Sequence, residues 1–127
     1  MIEIKLSKDK KGWYLQSHRR LEEMYSHTTT CFYCNKDVVL YNVSETPKGG
    51  LLSNSASVDH VYAKKDARRK FHKNKNIPSP VVMSCHSCNQ SRGDYPFEAY
   101  CLKVGIEKPE NHGIFFIQKE RVWETKE

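Results

Sequence analysis

Two Cys-x-x-Cys pairs, Cys31-Phe32-Tyr33-Cys34 and Cys85-His86-Ser87-Cys88, constrain this chain more than any other feature. Each pair presents two thiolates from one tight knuckle, and four thiolates complete the tetrahedral shell of a structural zinc with no position left open. A shell so filled stabilises a fold and does no chemistry, so any catalytic group must lie beside it. Residues 35–84 separate the pairs, a longer insert than compact zinc ribbons carry and long enough to hold a working site. Ordinary core packing of the four cysteines is the competing explanation, and their double spacing fits a metal site better. Within the insert stands Asp59-His60, and Asn89 directly follows the last cysteine.

At 127 residues the chain is expected to form a single domain, 1–127, with a core of modest size. A composition of 38% hydrophobic and 28% charged residues excludes both a disordered chain and a membrane protein. No apolar run approaches the roughly 20 residues that span a bilayer, and Met1-Ile2-Glu3-Ile4-Lys5 lacks the apolar core of a signal peptide. The expected location is cytoplasmic, where paired Cys-x-x-Cys motifs are metal ligands more often than disulfides. The fifth cysteine, Cys101, sits in an apolar stretch and reads as a small buried hydrophobe. A net charge of +6 favours a polyanionic partner, DNA first, with RNA also open. Oligomeric state is not legible.

The spacing of Trp13, Leu15, Leu21, Met24 and Tyr25 predicts an amphipathic helix over about 12–27, with His18, Arg19 and Arg20 on another face. Val38-Val39-Leu40-Tyr41 reads as a short strand, Pro47–Gly50 as a turn, and Ser55–Ala63 as a strand carrying Asp59 and His60. A basic run follows, with Lys64, Lys65, Arg68, Arg69, Lys70, Lys73 and Lys75, ended by Pro78 and Pro80. Val81-Val82-Met83 leads to the second knuckle, a helix starts near Cys88, and Pro96 opens another through Leu102. Gly113–Ile117 and Arg121–Trp123 suggest a closing strand or hairpin. The fold class expected is therefore α+β.

The ordered set of a cysteine pair, Asp59-His60 and a second pair continuing Cys88-Asn89-Gln90-Ser91-Arg92-Gly93-Asp94 resembles the HNH endonuclease family, in its branch with a four-cysteine zinc site. The resemblance covers about residues 31–94, leaving an N-terminal helix and a C-terminal extension, 95–127, of helix and strand. It implies a ββα-metal core in which Asp59 and Asn89 bind a catalytic Mg²⁺ or Mn²⁺, His60 is the general base, and Cys31, Cys34, Cys85 and Cys88 hold Zn²⁺. The basic-Gly-Asp ending, Arg92-Gly93-Asp94, is also similar to that family. Departures are the missing proline after Asp-His and, before the second pair, Ser79-Pro80-Val81-Val82 where the family's middle asparagine commonly sits.

The chemistry is coherent without the name. Phosphodiester hydrolysis needs an activated water, and an imidazole with a pKa of about 6.5 can accept its proton near neutrality. A carboxylate and an amide oxygen suit a hard divalent ion that neutralises phosphate charge. Lys64, Lys65, Arg68, Arg69 and Lys70 are expected to contact phosphates without reading bases, and Arg92 to project from its helix toward the scissile bond. Asp59, His60 and Asn89 are expected to be removable without unfolding, unlike the cysteines. On a regular strand Asp59 and His60 would point to opposite faces, so a shared site requires the strand to end or twist there. Two other functions compete with a DNA-cutting enzyme: a catalytically silent zinc module that binds nucleic acid, and a protein-interaction module on the same scaffold.

Overall fold

The computed structural model describes residues 2–5, 16–41, 52–107, 109, 113–118 and 121–124. In chain order these form β1 (Ile2–Lys5), α1 (Gln16–Tyr25), β2 (Ala56–His60), α2 (Ala67–Asn74), β3 (Ser79–Cys85), α3 (His86–Arg92), α4 (Phe97–Val104), β4 (Phe115–Gln118) and β5 (Arg121–Glu124). The architecture is α+β. All strand pairings are antiparallel, in the order β1-β5-β4-β3-β2.

β3 is the centre of the design. Its Val81, Val82 and Met83 are almost wholly buried, as expected for a strand with paired neighbours on both sides and covered faces. It pairs with β2 through Val81–Cys85, with Asp59 opposite Val82 and His60 opposite Val81, and with β4 through Ser79–Val81. α1 packs against β2, β3 and β5, sealing Met24 completely, and α3 packs across β2 and β3. α4 adds Phe97, Tyr100 and Cys101 to the same core, so Cys101 is the buried small hydrophobe its surroundings suggested.

Element ends have local causes. Gly93 (φ +51°) closes α3 and Gly105 (φ +84°) closes α4 in backbone regions that side chains rarely adopt. Pro96 precedes α4 as its N-cap, and Asp66 caps α2 by accepting from the Arg68 N–H at 2.9 Å. β2 is shorter than the expected 55–63. It stops at His60 because the backbone carbonyls of His60 and Val61 turn to the Arg92 guanidinium.

Val38–Tyr41 is not a strand. Val39 makes only an isolated bridge to Ser55, with its N–H on the Asn54 carbonyl and its carbonyl taking the Ala56 N–H. The expected 113–117 and 121–123 hairpin is present as β4 and β5. The start of the 12–27 helix and the Pro47–Gly50 turn lie outside the described residues. No helix among the described residues is long and apolar enough to cross a membrane.

Candidate metal centre and adjoining cleft

The first knuckle is shaped by its own backbone. The Cys31 N–H donates to the Lys36 carbonyl at 2.8 Å, and the Asn35 N–H returns to the Cys31 carbonyl at 2.9 Å. Asn35 takes the left-handed conformation (φ 61°) that such a reversal needs and that asparagine tolerates. The Phe32 N–H then docks the knuckle on the Met83 carbonyl of β3 at 2.8 Å. The second knuckle is the β3–α3 junction itself, where Cys85 is the N-cap of α3 and its sulfur accepts from the Cys88 N–H at 3.3 Å.

Together the knuckles bring the sulfurs of Cys31, Cys34, Cys85 and Cys88 within 4.8 Å of one another, a group that can hold a metal ion. Tetrahedral thiolates at about 2.3 Å from a zinc stand about 3.8 Å apart, and Cys34 and Cys85 are 3.9 Å apart, far beyond a disulfide. The electrostatics favour a cation at the centre. Burial pushes the Cys85 and Cys88 thiols up, and the Cys31 sulfur pushes both further. Burial also works against the Cys31 thiolate, yet the N–H groups of Cys34, Cys85 and Tyr33 hold that thiol below its ordinary value. Such a cluster cannot carry four negative charges unaided, and a divalent ion removes the conflict.

Beside this cluster lies a cleft of about 190 Å³, lined among others by Asp59, His60, Lys64, Arg69, Asn89 and Asp94. Val58, Asp59 and His60 all contribute to its wall at the end of β2. Asp59 is buried. Its Oδ2 accepts from Arg92 Nη1 at 2.9 Å and from the Tyr33 hydroxyl, while its Oδ1 has no hydrogen bond among the described residues. Burial first, and then the Asp59 charge, hold the Tyr33 phenol protonated and therefore a donor. Asn89 donates its Nδ2 to Ser57 Oγ at 3.1 Å and to the Val58 carbonyl at 3.4 Å, so its carbonyl oxygen is turned away from them. The His60 pKa is lowered to about 4, by burial first and then by Arg69, Arg20 and Arg92. Its Nδ1 is buried and lacks a hydrogen-bond partner among the described residues.

Arg92, expected to project toward a substrate, lines the same cleft, but its guanidinium is engaged by the protein. It is 1% exposed and points inward, with Nε on the Tyr95 carbonyl, Nη1 on Asp59 and the His60 carbonyl, and Nη2 on the Val61 carbonyl. Its position on the last turn of α3, directly before Gly93, aims it at the end of β2. Asp59 is correspondingly an ion-pair partner as well as a cleft residue.

Of the basic run, Lys64 and Arg69 line the cleft. Arg68 is engaged instead by Asp66 at 2.8 Å and Glu98 at 3.0 Å, and lies 4.4 Å over the Tyr62 ring. Lys65 and Lys70 are exposed, and α2 buries no residue. Sequence reasoning did not single out Tyr33, whose position inside the first Cys-x-x-Cys was the available signal, nor Asp94 as a cleft residue. Comparison of the chain with protein-family models, with curated proteins and with solved structures gave no match.

Proposed function

We propose that this protein is an HNH-type endonuclease that hydrolyses DNA phosphodiester bonds. In this reading β2, β3 and α3 are its ββα-metal core, and Cys31, Cys34, Cys85 and Cys88 hold a structural Zn²⁺. The observation that carries the reading is one cleft in which Asp59 and Asn89 each keep an oxygen that has no partner among the described residues, with His60 in the same wall. Those two oxygens are the ligands for a Mg²⁺ or Mn²⁺. When bound, that ion neutralises the scissile phosphate and stabilises the leaving oxygen.

His60, neutral at pH 7, accepts the proton of a water whose oxygen bonds to phosphorus. One P–O ester bond breaks, and the leaving oxygen takes up a proton from solvent. Lys64 and Arg69 bear on the phosphate from the cleft wall, and the exposed cations of α2 extend that surface. Arg92 orients Asp59 and anchors the end of β2 rather than meeting substrate.

One observation favours the silent nucleic-acid-binding module as a second reading: Asp59 is already ion-paired to Arg92, which opposes cation capture. Cleavage of supercoiled plasmid by zinc-loaded wild type and His60→Ala, with Mg²⁺, Mn²⁺ or EDTA, separates the two. Metal-dependent cutting lost in His60→Ala supports the endonuclease. Salt-sensitive binding without cutting transfers the proposal to the silent module.

A further inference from the structure

We infer that Tyr33 is a positioning residue through which the first cysteine knuckle aims the Asp59 carboxylate into the cleft, and so sets the cleft's affinity for a divalent cation. The inference rests on the reading of Asp59 and Asn89 as cation ligands. Tyr33 sits between Cys31 and Cys34, so the knuckle that presents two sulfurs to one centre also presents a phenol to the other. Its direction is fixed at both ends. The backbone is held by the Cys31–Lys36 and Phe32–Met83 hydrogen bonds. The ring is packed edge-on against Tyr100, with centroids 4.9 Å apart, and against Phe32 at 5.4 Å.

The hydroxyl at the end of this ring donates to Asp59 Oδ2, the same oxygen that Arg92 Nη1 approaches. A carboxylate with one oxygen clamped by two donors cannot rotate, so its other oxygen is presented to the cleft in one orientation. Arg92 comes from α3, the helix that also carries Asn89, whereas Tyr33 brings an anchor from a different part of the chain. Outer-shell partners of this kind are worth roughly 10–100-fold in metal affinity where they have been removed.

The test compares wild type with Tyr33→Phe, which keeps the packed ring and removes only the donor, with Asn89→Ala as a marker of the cleft. Three quantities are measured on zinc-loaded protein: zinc per chain, melting temperature, and Mn²⁺ affinity from the electron paramagnetic resonance of free Mn²⁺. The expected result is unchanged zinc content in Tyr33→Phe and a Mn²⁺ dissociation constant raised at least about tenfold. Wild-type affinity in Tyr33→Phe, with binding lost in Asn89→Ala, overturns the inference and leaves the reading of the cleft standing. A lowered melting temperature with unchanged Mn²⁺ affinity assigns Tyr33 to packing and likewise overturns it. Absence of Mn²⁺ binding in wild type, or binding indifferent to Asn89→Ala, overturns the cleft reading and this inference with it.

Discussion

Replacing Arg92 by methionine should destabilise the domain by about 4 kcal/mol, far more than removing a surface cation. The residue is 1% exposed and its partner Asp59 is 7% exposed, so the pair is cut off from bulk water. Breaking a buried ion pair by deleting one partner costs about 3–5 kcal/mol, because the remaining charge is left uncompensated. The buried carbonyl of Val61 also loses its donor, at about 1–3 kcal/mol, whereas the part-buried His60 carbonyl can turn to water instead. Against this, the methionine side chain returns about 1–2 kcal/mol of apolar burial. A net loss near 4 kcal/mol is a large share of the roughly 5–15 kcal/mol that stabilises a domain. It should lower the melting temperature by about 12–20 °C.

The assay is urea unfolding of zinc-saturated protein followed by circular dichroism, for Arg92→Met, Asp59→Leu and the double variant. Since the double variant buries no lone charge, its loss should fall short of the sum of the singles by about 1.5–3 kcal/mol. A loss below about 1 kcal/mol in Arg92→Met, or strict additivity, would refute the argument. The first of those results would return Arg92 to the exposed, substrate-facing role that its sequence position suggested.

Chelating the metal from Cys31, Cys34, Cys85 and Cys88, or Cys85→Ser, should unfold the domain, because structural zinc contributes roughly 10–16 kcal/mol of apparent binding energy in small zinc peptides; retained far-ultraviolet dichroism would argue against a structural metal. The His60 ring should titrate by NMR near pH 4 rather than near 6.5, and a midpoint at 6.5 would contradict the burial that lowers it. Because its folded pKa lies below its unfolded one, the stability linked to His60 is fully present above pH 6.5 and is lost as pH falls toward 4. That loss is about 2 kcal/mol after allowance for partial solvent access. Lys64→Ala and Arg69→Ala should each weaken DNA binding and flatten its salt dependence by about one counterion, whereas Arg68→Ala, already paired with Asp66 and Glu98, should change that slope less; equal slopes for all three would contradict the distinction.

What the sequence made legible was mostly local. The Cys-x-x-Cys spacing announced each knuckle because the ligands of one knuckle are fixed by a few consecutive dihedrals. Pro96 announced the start of α4 by its fixed backbone, although the helix runs past the expected Leu102 to Val104. Asp59, His60 and Asn89 do line one cleft, beside the point where Arg92 from α3 takes the His60 and Val61 carbonyls. A residue's inward or outward direction at the last turn of a short helix depends on what lies opposite it, and sequence spacing does not carry that. The same holds for Val38–Tyr41, a β-rich string whose ladder pairing among the described residues is the isolated Val39–Ser55 bridge. Tyr33 went unmarked because its role exists only once the first knuckle and β2 meet.

Anomalous X-ray scattering from crystals of the zinc-loaded protein soaked in Mn²⁺ tests the central claim most directly, since it assigns each metal to its place. The account predicts a zinc peak among the sulfurs of Cys31, Cys34, Cys85 and Cys88, and a separate manganese peak between Asp59 and Asn89. Manganese absent from the cleft, with Asp59 still held by Arg92 and Tyr33, would contradict it.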